Sequence, residues 1–299
     1  MRIPRLSISA IFSRVLSLPH LLPPLRYMGY SEWKAVRAYP GMISTLEKRA
    51  LLLAAFQSTA PVVEFGAFFG ASSYALAAGV KSNPYLAKKS PSLIIYDAFS
   101  CHVDHPFLKH VLSTARKYSL YNYLLFDDIS VSWLPAVIAG LEPFCDVVKI
   151  APVIVNDSLS SFPALPPKIG LLHLDLPKDI HTLRVIAQHC FPRLTVGAVI
   201  VFQDYYYHFS GELIAFFEYL ERLHLVTRLQ SVDTSIYYRI MEPLSVDLVD
   251  AFIGSANVLD LLSMAIERAM RSRLNPEHKV SLIISYIYCL LYTSPSPRD

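Results

Sequence analysis

The sequence predicts an α/β fold: a doubly wound, mostly parallel sheet with a C-terminal antiparallel hairpin, plus N- and C-terminal helical appendages. Three observations point there. Short apolar runs alternate with helical patterns from residue 44 to residue 223, the order that lays helices on both faces of a parallel sheet. The runs are apolar throughout rather than at every second residue, as strands covered on both sides must be. After residue 224 the pattern changes to two strand-like runs around a polar turn, 225–241, which reads as a hairpin.

The elements follow in order. Ser44 and Glu47 have capping-box spacing and start a helix over 44–58. "PVVEF" (61–65) is the first strand, and "SSYALAAGV" the helix after it. "SLIIYDAF" (92–99) is the second strand, and 106–140 reads as mostly helical with a break near Pro135. "DVVKIAPVIV" (146–155), "IGLLHLDL" (169–176) and "GAVIVFQD" (197–204) are the next three strands. Helices fill 179–194 and 211–223, and one more spans 246–274.

With 299 residues, 53% of them hydrophobic, the chain can bury a large core. Its longest apolar runs, 194–202 and 280–292, fall short of the roughly 20 residues a membrane-spanning helix needs. No transmembrane span is expected, and a cytoplasmic location is. A net charge of +3 is too small to argue for nucleic acid. Residues 1–31 hold Arg2, Arg5, Arg14 and Arg26 and no acid. They read as a basic amphipathic cover, with membrane-surface contact left open, ahead of a cleaved signal peptide, for which no clear cleavage site is seen. Cys101, Cys145, Cys190 and Cys289 lack the spacing of a zinc site or a disulfide framework. The expected division is a basic N-terminal helical segment or lid (1–40), a main domain (41–242), a C-terminal helix (243–279) and a non-native or disordered tail (280–299). The tail is suggested by the turn-rich end "LLYTSPSPRD".

Ligands of open α/β sheets bind outside the carboxyl ends of the strands. Acids recur there: Glu64, Asp97, Asp157, Asp175 and Asp204. After the first strand the spacing is E-x-G-x-x-x-G, with Gly66 and Gly70. It lacks the third glycine of a dinucleotide fingerprint and the Lys-Ser/Thr of a phosphate-binding loop. That disfavours a nicotinamide oxidoreductase. An acid at this strand end is tolerable beside a cationic ligand such as a sulfonium.

"VVEFGAFFGASS" resembles motif I of the class I S-adenosylmethionine-dependent methyltransferases. "LIIYDAFS" is similar to their second motif. "IGLLHLDLPKDIHTLRVIAQHCFPRLTVGAVIVFQDYYY" is similar to a segment of the methyltransferase-24 and macrocin O-methyltransferase-like families. The resemblance covers roughly 41–242 and implies a Rossmann-like fold with S-adenosylmethionine as cofactor. It implies O-methylation of a small metabolite or sugar-like acceptor. Carried over by position, Glu64, Gly66 and Gly70 would shape the methionine end of the pocket. Ser72 and Ser73 would meet the cofactor carboxylate at a helix N-terminus. Asp97 would hold the ribose, and Asp157 and Ser158 would lie beside the adenine.

The catalytic candidates are Asp175, Asp204 and His208; His181 is a further candidate base. Relatives that use a divalent ion such as Mg2+ need about three oxygen ligands here. This chain offers Asp175, Asp204 and the neutral Gln203, which argues against a metal while leaving the two acids as its candidate ligands. His173 reads as a core histidine. "YYYH" (205–208) reads equally as acceptor-pocket lining and as core cover. The competing reading is a non-catalytic methyltransferase-fold domain that binds a partner or a membrane surface. A homo-oligomer stays open.

Overall fold

The computed structural model describes residues 28–156, 162–207, 210–255, 257–272 and 274–293. Its frame is a seven-stranded sheet of β1 (Val62–Phe65), β2 (Leu93–Asp97), β6 (Val148–Pro152), β7 (Ile169–Leu174), β8 (Leu194–Phe202), β9 (Val226–Val232) and β10 (Ser235–Ile240). The order is β6-β2-β1-β7-β8-β10-β9. The five strands from β6 to β8 run parallel, and β10 is antiparallel to both neighbours. The order reverses at β1, which has β2 on one side and β7 on the other, so its carboxyl end is the position at which open α/β sheets hold ligands.

Both faces of the central strands β1, β2 and β7 are buried along their length, which explains their unbroken apolar runs. Val62, Leu93, Ile95, Leu171 and Val201 point to one side, where they join α2 (Thr45–Gln57), α3 (Ala71–Ser82) and α5 (Leu134–Leu141). Val63, Ile94, Leu172, Ile200 and Phe202 point to the other. There they meet α6 (Ile180–Cys190), α7 (Gly211–Arg222) and α9 (Val258–Arg271).

The capping box forms as read. Ser44 Oγ accepts from the Glu47 amide at 3.2 Å, and Glu47 Oε2 accepts from the Ser44 amide at 2.9 Å. Glu47 Oε1 also accepts from the hydroxyls of Thr234 (2.9 Å) and Ser235 (2.7 Å), tying α2 to the hairpin. Ahead of it, α1 (Tyr30–Ala38) leads into Tyr39, whose ring stacks on Tyr74 of α3 at 4.4 Å. The rest of the expected basic segment, 1–27, lies outside the described residues.

Three expectations need correction. Residues 106–140 are not mostly helical. Between α4 (Leu108–Lys117) and α5 lies a second sheet, of β3 (Ser100–His102), β4 (Leu125–Phe126) and β5 (Ser130–Ser132), in the order β3-β5-β4. Asp127 makes its turn by accepting from the amides of Ile129 and Ser130. The helix expected over 246–274 is two helices, α8 (Leu248–Ser255) and α9, because Asn257 caps the second by accepting from Leu259 and Asp260. The tail expected over 280–299 is helical in its described part: 280–293 lie in α10 (Pro276–Thr293), which buries Leu282, Ser285 and Cys289 and sets the Cys289 side chain against Gly211 of α7, while 294–299 lie outside the described residues. Among the described residues no single helix is long and apolar enough to cross a membrane.

Candidate active site at the strand ends

The loop 66–70 links β1 to α3. Gly66 (φ +90°) and Gly70 (φ +87°) both sit in the left-handed region, where a side chain is strained. A Cβ on Gly66 would also lie 2.6 Å from the Leu176 amide nitrogen, so this loop and the one after β7 touch backbone to backbone. Gly70 opens α3, whose first-turn amides have no helix-internal acceptors. Ser72 and Ser73, in that turn, are both buried.

Asp97, at the end of β2, faces the loop. Its Oδ2 accepts from the amides of Ala67 (2.8 Å) and Phe68 (3.0 Å), and its Oδ1 from Phe99 (2.6 Å). Burial raises the Asp97 pKa. Those three amides pull it back only in part, and the charge of Asp175 adds to the rise. Phe68, Phe99 and Asp204, one beside each of three strand ends, hold left-handed backbone despite their side chains. The Phe68 ring packs edge-on against Phe107 (5.2 Å) and Trp133 (5.9 Å). The buried Trp133 Nε1 has no hydrogen-bond partner among the described residues.

Glu64 does not line an open pocket. It is fully buried, accepts a hydrogen bond from the Ser73 hydroxyl on Oε2, and lies 3.1 Å from His173 Nδ1 through Oε1. The other ring nitrogen of His173 is 2.9 Å from Gln203 Oε1. Both neighbours present oxygens, so the doubly protonated ring satisfies both. Burial alone would lower the His173 pKa. The Glu64 carboxylate outweighs it, and the net direction is up. Glu64 therefore reaches the loop only through Ser73, because in-register pairing of β1 with β7 sets it beside His173.

Asp175 and Asp204 do come together, at the ends of β7 and β8, and Lys178 joins them. Its Nζ donates to Asp175 Oδ1 at 3.0 Å and to Asp204 Oδ2 at 2.8 Å. Burial works against the ammonium, but the two carboxylates prevail and raise the Lys178 pKa. Lys178 was missed in the sequence. Its signal is the D-L-P-K run directly after a strand and before the helix-capping Asp179, which accepts from the Thr182 amide at 2.8 Å. A divalent ion such as Mg2+, for which Asp175 and Asp204 are the candidate ligands, does not fit this donor set. The two acids already share a cation, and the third oxygen, that of Gln203, is turned inward to His173.

Tyr205 and Tyr206 belong to the core: the Tyr205 hydroxyl donates to Glu218 at 3.0 Å, and Tyr206 stacks on His278 at 4.7 Å. His181 is exposed in the first turn of α6. Asp157, Ser158 and His208 lie outside the described residues.

The sheet reversal at β1, the glycine crook and the acids at the ends of β2, β7 and β8 define a Rossmann-like fold. Residues 63–205 match a family model, Methyltransf_24, described as a methyltransferase domain. No curated protein matches the chain. Solved structures similar to it include the O-methyltransferase NovP (13% identity, 68% of this chain and 82% of that one, TM-score 0.47). Another is an O-methyltransferase from Bacillus cereus in complex with SAH (14% identity, 78% and 97%, TM-score 0.41). A third is the SAH-bound methyltransferase PaMTH1 of Podospora anserina (13% identity, 81% and 99%, TM-score 0.39).

Proposed function

We propose that the chain is a class I methyltransferase that uses S-adenosylmethionine to methylate an oxygen of a small metabolite or sugar-like acceptor. The observation that carries this reading is the position of Asp97. It faces a crook in which Gly66 and Gly70 themselves carry no side chain, beside the N-terminus of α3. The residues suit the cofactor. Asp97 would take the ribose, the first-turn amides of α3 the carboxylate, and the aromatic group of Phe68 and Trp133, with its unpaired indole N–H, an aromatic ring. Bound there, S-adenosylmethionine supplies a methyl carbon activated for in-line displacement.

The chain's own part is alignment and exclusion of water. Gly66 sets the crook directly against residues 175–176, so the cofactor loop and the acid-bearing loop form one wall. Asp175 and Asp204 are the carboxylates on the acceptor side. Either could receive the proton of an acceptor hydroxyl, and Lys178 fixes where they stand. The acceptor class rests on the resemblance to O-methyltransferase sequences, an analogy rather than a feature of the site.

Isothermal titration with S-adenosylmethionine tests the reading. We expect binding by the wild type and its loss in Asp97→Ala. A folded wild type that binds none, or a variant that binds as well, would refute it. Incubation with methyl-labelled cofactor and a metabolite extract would then identify the acceptor.

A further inference from the structure

We infer that Lys178 takes the structural place of a divalent cation between Asp175 and Asp204, so that this site works without a metal. The inference rests on the strand-end acids being the acceptor side of the active site, as proposed above. Its geometry is independent of the cofactor.

Two carboxylates on adjacent parallel strands repel one another unless a positive charge joins them. Here the ammonium does so, at 3.0 and 2.8 Å. The backbone next to it is anchored. Lys178 directly precedes Asp179, which caps α6 through both the amide and the hydroxyl of Thr182, each at 2.8 Å. The lysine backbone is thus part of a capped turn, from which its half-exposed side chain reaches both acids. A divalent ion entering between the acids would have to expel it. It would then find two protein oxygens where a hard cation prefers more, because Gln203 Oε1 is committed to His173 in the core. Among the described residues no group of three His, Cys, Asp or Glu side chains is arranged to hold a metal. Lys178 is therefore a positioning residue. It sets the separation and orientation of the two acids, the task a metal performs where one is present.

The test is Mn2+ uptake by the full chain, read from the electron paramagnetic resonance signal of free Mn2+. Wild type should take up none with a Kd below about 1 mM, the weak end of protein cation sites. Lys178→Gln frees both carboxylates and should bind Mn2+ at least about tenfold more tightly than wild type. Adding Asp204→Asn should abolish that gain. A wild type that binds one Mn2+ in the micromolar range overturns the inference, and so does a folded Lys178→Gln that gains nothing. If Lys178→Gln does not fold, Lys178→Arg keeps the charge and should exclude Mn2+ as wild type does; uptake by it would count against the inference. Wild type stripped with EDTA should also bind S-adenosylmethionine unchanged. Failure to bind that cofactor with or without EDTA would sink the functional proposal and leave the Mn2+ result standing.

Discussion

His173 and Glu64 meet in the middle of the sheet, Nδ1 to Oε1 at 3.1 Å, and neither side chain reaches solvent. The raised His173 pKa gives this pair a pH signature. A folded-state value above the unfolded one, near 6.5, adds stability that is fully present below that pH. The contribution is lost as pH rises through the folded value. Urea midpoints measured from pH 5.5 to 9 should therefore favour wild type over His173→Gln most at the acid end. Parallel profiles would show that the ring is neutral.

Gly66 and Gly70 share a backbone conformation but not a setting. Gly70→Ala meets only the strain of a left-handed residue, about 1–2 kcal/mol, since its nearest neighbour would be 3.5 Å away. Gly66→Ala adds a collision with the backbone of Leu176 at 2.6 Å, worth about a further 1–3 kcal/mol. Equal losses on denaturation would contradict the close crossing of the two loops.

Glu47 does more than cap a helix. Ser44→Ala should cost about 1 kcal/mol, an ordinary N-cap loss. Glu47→Ala should cost more than twice that, about 2–4 kcal/mol, because it also strands the hydroxyls of Thr234 and Ser235. If the two variants melt together, the tie between α2 and the hairpin is unimportant.

Glu218 is the hub of the opposite layer. Fully buried, it receives Arg228 at 2.6 Å, Arg268 at 2.9 Å and the Tyr205 hydroxyl at 3.0 Å, joining α7, β9 and α9. Glu218→Ala leaves Arg228 mostly buried without that partner and should cost about 3–5 kcal/mol. Arg268→Ala, nearer the surface, should cost clearly less. Chemical denaturation monitored by tryptophan fluorescence would rank them.

What could be read in the chain was what neighbouring residues decide. Ser44 and Glu47 announced their helix, the apolar runs announced the buried strands, and Gly66 and Gly70 announced the crook. What could not be read was contact across strands. Nothing near residue 64 shows that Glu64 will stand opposite His173, more than a hundred residues away; only the pairing of β1 with β7 does so. Lys178 stood one turn from Asp175 in the sequence, but its second partner comes from β8, so the bridge existed only once those strands were adjacent. The small second sheet escaped notice because its strands are two or three residues long, too short for a period to show.

The missing Cβ at Gly66 has one more effect. Phe65 already receives the amides of Asp175 and Leu176 on its carbonyl, at 2.8 and 2.9 Å, and the glycine lets the next peptide rest against theirs. Whatever settles into the first loop must therefore nudge the second. A fluorine probe placed after β7 would register occupancy on the far side of β1, making the strand ends one sensor as well as one cradle.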